Sequence, residues 1–304
     1  MTRTGPLIAV SLAAALCLVQ NAPAATAVPI SIVATVQAQK NAPPPKVTQD
    51  DVLVSQNKQR MQVTGFAPLH DQAGLQLWLL IDDGSATSLG SQLGDLREFV
   101  RQQPSTTQIG IGYMRNGSVA VVQPLTADHD LAAKAMRLPI GVPGISASPY
   151  LALTELIHKW PATPEAREVL MVSSGIDPDY GSGPDNPYLS RAIDTAQRAA
   201  VVVYSLYYPN AGHFGRSYGR INWGQNYLSQ LSEETGGEFY WEGNFAPVSL
   251  TPYLDTMNRR LNEQYLLTFL AEPRNKPGFQ SVKLSTEVPH VGLAGPAKVY
   301  VPRP

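Results

Sequence analysis

The sequence predicts an α/β chain: a doubly wound, mostly parallel six-stranded sheet with one antiparallel strand, and a small β appendage drawn from the N- and C-terminal segments. Three observations predict it. Apolar runs of strand length, Leu75 to Ile81, Val169 to Val172 and Val201 to Leu206, alternate with helical patterns, as strands covered on both faces require. Arg115-Asn116-Gly117-Ser118 joins two β-like segments, and Asn-Gly suits the positive φ angles of a type I′ turn, so that pair is antiparallel. Outside this block, β-like stretches flank the chain at both ends without intervening helices.

Taken in order, residues 1–27 read as a secretory signal peptide. Arg3 precedes an apolar run from Leu7 to Val19, and small residues stand at cleavage spacing in Ala22-Pro23-Ala24 and Ala25-Thr26-Ala27, with a further candidate in Val36-Gln37-Ala38. The run is shorter than the ~20 residues a membrane-spanning helix needs, so no stable anchor is expected after cleavage. The one cysteine, Cys17, lies inside this run and follows Leu16 rather than a small residue, which disfavours lipidation. A secreted or periplasmic chain without cysteine can be neither a disulfide scaffold nor a thiol enzyme.

Residues 28–46, with Asn41-Ala-Pro-Pro-Pro45, read as an extended Pro-rich linker, and 47–70 as a β-hairpin around the polar Gln56-Asn-Lys-Gln59. The main domain spans 71–265. Leu75 to Ile81 is its first strand, and Leu89, Leu93, Leu96 and Val100 give the following helix. The antiparallel pair covers Gln108 to Met114 and Val119 to Gln123. Helices follow around 127–137 and 149–159, the second with Ser148 and Pro149 placed as N-cap and first helical residue. Strand, loop and helix repeat through 168–173, 188–199, 201–206 and 224–235, where Gly236-Gly237 stops the last of these helices. A short strand at 239–241 and a helix through Leu254, Met257 and Leu261 complete the domain, and 266–304 is β-like.

Lys and Arg number 23 against 24 Asp and Glu, which leaves no basic excess for a phosphate backbone and excludes nucleic acid as the expected partner. No Gly-x-Ser-x-Gly elbow, His-Glu-x-x-His or phosphate-binding Gly-x-x-x-x-Gly-Lys is present, and the five histidines are scattered, so a non-enzymatic role is expected over a secreted hydrolase.

In such a sheet a crevice is expected beyond the carboxyl ends of the first and fourth strands. There, Asp82-Asp83-Gly84-Ser85-Ala86-Thr87 offers Asp83, Ser85 and Thr87 at alternating positions, oxygen donors suited to a hard cation and equally to a turn or helix cap. A second loop, Asp177-Pro-Asp179, lacks the rest of a calcium loop and reads as a turn. Tyr204 to Trp223 carries Tyr208, His213, Phe214, Arg216, Tyr218, Arg220 and Trp223, residue types that concentrate in protein interfaces, and is the expected partner-binding loop.

Leu79-Leu-Ile-Asp-Asp-Gly-Ser85, Glu234-Thr-Gly-Gly237 and this order of elements resemble the von Willebrand factor type A family. Gly112-Tyr-Met-Arg-Asn-Gly117, Ser148-Pro-Tyr150 and Gln264-Tyr-Leu266 resemble a branch of secreted bacterial proteins that adds β appendages to this domain. The resemblance implies a Rossmann-like sheet, a protein partner and a metal-ion-dependent adhesion site of pattern Asp-x-Ser-x-Ser, completed by a Thr and a second Asp. Aligning the first acid on Asp82 puts Gly84 and Ala86 at the hydroxyl positions, whereas Asp83 restores Ser85 and Thr87. Ser146 or Ser148 stands for the Thr, and Ser174 for the second Asp. The expectation is a degenerate site that binds Mg2+ weakly, with no other cofactor. An alternative role is a structural or assembly component of the cell envelope, with the β appendages making the contacts.

Overall fold

The computed structural model describes residues 27–38, 45–69, 74–142, 147–163, 165–212 and 214–303. Its strands are β1 (Val28–Ala38), β2 (Val52–Gln56), β3 (Gln59–Pro68), β4 (Leu75–Asp82), β5 (Thr107–Arg115), β6 (Ser118–Thr126), β7 (Ala166–Ser173), β8 (Val201–Tyr207), β9 (Phe239–Tyr240), β10 (Gln264–Ala271), β11 (Gly278–Thr286), β12 (Val291–Ala294) and β13 (Lys298–Val301). The α-helices are α1 (Leu93–Arg101), α2 (His129–Ala135), α3 (Pro149–Lys159), α4 (Pro187–Arg198), α5 (Tyr218–Thr235) and α6 (Thr251–Asn262).

Six strands form one sheet in the order β6-β5-β4-β7-β8-β9, and every neighbouring pair is parallel except β5 with β6. Asn116 and Gly117 make the turn between those two with φ of 54° and 66°, the left-handed pair that a type I′ turn demands. All eight residues of β4 are buried, because helices cover both faces. Leu96, Phe99 and Val100 of α1 pack on one face with Ala132 and Ala133 of α2 and Met257 of α6. Leu153 of α3, Ile193 of α4 and Leu228 of α5 pack on the other. The carboxyl ends of β4 and β7 lie side by side at the point where successive connections change face, which is where the crevice is expected.

The remaining strands build a seven-stranded antiparallel sheet in the order β12-β1-β10-β3-β2-β11-β13. The hairpin β2–β3 thus sits between β10 and β11, beside the C-terminal strands.

The linker expected at 28–46 is corrected here: Val28–Ala38 is a strand in the interior of this sheet, paired with β10 along eight residues and with β12 at its far end. Alternation explains it. Ile30, Ile32, Ala34 and Val36 turn into the core made with Val54, Met61, Leu267 and Phe269. The Val36 amide donates to Glu263 O at 2.9 Å, so even-numbered residues bond to β10 and Pro29, which has no amide hydrogen, falls on the opposite edge. The Asn41-Ala-Pro-Pro part of the expected linker lies outside the described residues.

A second correction concerns α5, expected near 224–235, which begins at Tyr218. Gly219 and Gly224 weaken the helical signal of that first half, and its packing on the loop after β7 overrides their low propensity.

Candidate functional site

The end of β4 places two neighbouring acids at the crevice, and alternation sends them apart. Asp82 accepts from Ser173 Oγ and from the Gly84 amide, both at 2.8 Å. Burial pushes its carboxyl up to about 6, against the lowering effect of these two bonds. Asp83 is also buried, but it turns to the other side, where Arg137 grips it through two hydrogen bonds of 2.7 and 2.8 Å. The guanidinium lies 3.8 Å from the centroid of the Tyr113 ring, and the Arg137 amide donates to the Tyr113 hydroxyl at 2.7 Å. A cation is therefore already built into the protein at Asp83.

The hydroxyl pattern Asp83, Ser85, Thr87 does not assemble around one point, which corrects that reading. Thr87 opens a 3-10 turn, Thr87–Gln92, and is exposed, whereas Ser85 is buried opposite Asn210. Ser148 is drawn off to Asp177, donating to its Oδ2 at 2.8 Å, and Ser146 lies outside the described residues. Asp177 also accepts from Asn186 Nδ2 and from the Asp179 and Tyr180 amides, which makes it the organiser of its own turn. Ser174 Oγ accepts from the Ile176 amide at 3.3 Å and from Asn210 Nδ2 at 3.5 Å.

Ser85 Oγ and Asn210 Oδ1 are buried with no hydrogen-bond partner among the described residues, and they are closed to solvent beside the crevice. Of the two neighbouring acids, Asp82 is the one that Arg137 does not hold. Among the described residues no group of three His, Cys, Asp or Glu side chains could hold a metal ion. One half-protonatable carboxylate with neutral oxygens does not fit a tightly held divalent cation.

The expected partner-binding loop divides. Tyr208 is buried and its hydroxyl pairs with Ser88 Oγ at 3.0 Å, so it holds the loop and presents nothing to a partner, a correction that follows from its position directly after β8. Trp223 is half-buried against Tyr227, with ring centroids 5.8 Å apart, and Arg220 is half-buried. Arg216 and Tyr218 are exposed. His213 and the Phe214 side chain lie outside the described residues.

Other side chains at this end of the sheet were not singled out by sequence. Leu138, Ile140 and Val142 are 54%, 45% and 54% exposed on the segment after Arg137. That segment is fixed against the crevice, since the Val142 amide donates to Asp83 O at 3.1 Å. Trp241, Phe245 and Val248 are exposed on the loop after β9, which Gln225 ties down through Gly243 O at 3.1 Å. The sequence signal is Leu138-Pro-Ile-Gly-Val142, apolar residues in a stretch too broken by Pro and Gly to be helix or strand.

No family model matches the sequence, and no curated protein is similar to it at a significant level. Solved structures similar to it include an aerotolerance-related membrane protein from Bacteroides fragilis, 12% identical over 62% of this chain and 99% of that one, with a TM-score of 0.45. The ArnB paralog VWA2 from Sulfolobus acidocaldarius is 12% identical over 91% of this chain and 77% of that one, with a TM-score of 0.40. Manganese-loaded TRAP protein from Plasmodium vivax is 10% identical over 76% of this chain and 96% of that one, with a TM-score of 0.39. At such identities the assignment rests on strand order: a six-stranded sheet with its switch point between the first and fourth strands and its third strand reversed gives this chain a von Willebrand factor A-like fold.

Proposed function

We propose that this is an exported, non-enzymatic protein that binds a protein partner through the loops at the carboxyl end of the six-stranded sheet. The observation that carries the reading is two exposed apolar segments at the carboxyl end of the sheet, Leu138 to Val142 beside Asp83 and Trp241 to Val248 on the loop after β9. Large apolar side chains held in fixed loops are what an interface core requires. Export rests on the signal-like residues 1–27, and the position of β1 bears on the cleavage site. Removal of residues through Ala38 would delete an interior strand, whereas cleavage after Ala24 or Ala27 leaves β1 whole.

Affinity capture from the native envelope, with proteins identified by mass spectrometry, tests this reading. The double substitution Ile140→Asp and Val142→Asp is expected to abolish capture of a partner that wild type retains, with an unchanged thermal midpoint. Capture that survives this change and is lost on substituting Lys283, which is exposed on β11, would support the envelope-assembly alternative instead. Turnover of a substrate would support a hydrolase.

Within this reading the cation site is degenerate. Asp82 alone supplies charge, so wild type is expected to bind Mg2+ weakly. Ser174→Asp adds a carboxylate at the end of β7, beside the strand that carries Asp82, and is expected to tighten Mg2+ binding at least tenfold in calorimetry. Tight binding by wild type, or no gain in the variant, would show that the site lies elsewhere.

A further inference from the structure

The net charge of -1 hides a division between the two sheets. Residues 27–69 and 264–304, which supply every strand of the seven-stranded sheet, hold nine Lys and Arg against four Asp and Glu, a net of +5. Residues 70–263 hold 13 against 20, a net of -7. Charge segregated in this way acts on a partner through the surface that carries it, whatever the sum over the chain.

Strand register divides the β part once more. Val28 pairs with Ala271, Leu270 with Gln62, Gln56 with Gln59, and Val301 with Gly278. The start of β1, the β2–β3 turn, the loop from β10 to β11 and the tail after β13 therefore meet at one end of the sheet. Turn and loop are tied together, since Gln56 Nε2 donates to Glu272 O at 2.8 Å and Asn57 Nδ2 donates to Gln280 Oε1 at 2.7 Å. Lys58 and Arg60 on the hairpin, Arg274 and Lys276 in the loop and Arg303 in the tail are all exposed there, and Glu272 is the one acid on these segments. None of the five cations forms an ion pair among the described residues. The other three acids of the β part, Asp50, Asp51 and Glu287, stand at the opposite end, where the Glu287 amide donates to Asp51 O at 3.2 Å. Five like charges without ion pairs repel one another and do nothing for the fold, so their gathering needs a partner to explain it.

We propose that this basic end of the seven-stranded sheet docks on an anionic phospholipid surface. The path of the chain selects a membrane as the source of the negative charge. The apolar run Leu7 to Val19 is separated from β1 by residues 20–27 alone, a stretch that spans at most about 30 Å when fully extended. While that run engages the bilayer, the end of the sheet at Val28 is therefore the part of the folded chain held beside the headgroups, and cleavage after Ala27 leaves a new α-amino group at the same place. Each Lys or Arg near an anionic bilayer strengthens attachment about fivefold, so five of them support reversible binding. No large apolar side chain is exposed on these segments, so the contact is electrostatic and does not insert. The proposal does not rest on the crevice, because none of the five residues belongs to the six-stranded sheet.

The processed chain from Val28 onwards keeps every described strand and lacks the apolar run, so co-sedimentation of this chain with vesicles isolates the contact. It is expected to bind vesicles of phosphatidylcholine with about 30% phosphatidylglycerol, to release them as NaCl rises from about 50 to 500 mM, and to leave pure phosphatidylcholine unbound. The triple substitution Lys58→Gln, Arg274→Gln and Lys276→Gln is expected to weaken binding about a hundredfold. Lys46→Gln, Lys134→Gln and Arg259→Gln remove the same charge elsewhere on the surface and are expected to leave binding at the wild-type level. Equal losses in the two triple variants would show that net charge alone is at work, and would overturn the assignment. So would binding to pure phosphatidylcholine, binding that salt does not weaken, or binding to soluble polyphosphate without binding to either vesicle. Should the first variant fail to keep the wild-type thermal midpoint, the salt and lipid dependence of the wild type together with the second variant decide the question.

Discussion

Stability against denaturant is expected to fall as pH rises from 4.5 to 8, and Glu168→Gln is expected to remove most of that loss. Glu168 stands near the start of β7, fully buried, where Gln264 of β10 donates to it at 2.7 Å and the Tyr204 hydroxyl, 2.8 Å from the same Gln264 nitrogen, lies beside it. Its Oε2 has no hydrogen-bond partner among the described residues. Burial pushes its carboxyl from 4.5 up to about 8, and the single bond from Gln264 offsets little of that. In the unfolded chain the same group ionises at its ordinary value. Between those two values the folded protein binds more protons than the unfolded chain, so the stability present below pH 4.5 is lost as pH rises, and the loss is complete above about 8. The ceiling on the effect is about 5 kcal/mol, a large share of the stability of an ordinary domain. Asp82, held at about 6, adds a smaller loss that is finished near pH 6.

Glutamine at 168 keeps an acceptor for Gln264 Nε2 and cannot ionise. Its denaturation midpoint should therefore stay nearly level between pH 6.5 and 8.5, where wild type continues to decline. Parallel curves for the two proteins would show that Glu168 does not titrate in this window. Because Gln264 belongs to the seven-stranded sheet and Glu168 to the six-stranded one, the same measurement reports how strongly this contact ties the two sheets together.

Local pattern carried most of the fold and little of the site. The runs that became β4, β7 and β8 are apolar on both faces, so their burial needs no knowledge of their neighbours. Asn116-Gly117 encodes its own turn. β1 is different, since Pro29, Ser31 and Gln37 dilute its apolar residues and its partner β10 begins more than two hundred residues later. Nothing local separates such a segment from an extended linker. The site fails for the same reason. Asp83 and Thr87 satisfy an alternating oxygen pattern in sequence, but the position of Arg137, 54 residues away, decides that Asp83 is neutralised by the protein itself. What alternation did foretell is that Asp82 and Asp83 would turn apart, and they do.

Gly224→Ala is expected to destabilise the protein by about 3 kcal/mol or more, although alanine in a helix interior ordinarily stabilises by about 1 kcal/mol over glycine. α5 crosses the loop after β7 at backbone distance. A Cβ on Gly224 would stand 2.4 Å from Ser174 O and 2.9 Å from the Ile176 amide nitrogen, and both are backbone atoms that no rotamer change can move. The loop cannot give way cheaply. Gly175 holds φ of +67° with a Cβ position 2.2 Å from Gly224 O, and its own carbonyl accepts from the Tyr150 hydroxyl at 2.7 Å. Gly219 lies in the first turn of the same helix with nothing within 4 Å of its Cβ position, so Gly219→Ala should be neutral or stabilising by up to about 1 kcal/mol. Opposite signs for two glycine-to-alanine changes in one helix isolate the close approach from helix propensity. Equal effects in chemical denaturation would mean that α5 does not sit on the Ser174 loop as described. If the contact holds, a milder shift of that loop is the route by which changes on α5 reach the crevice, since Ser174 Oγ accepts from the Asn210 side chain there.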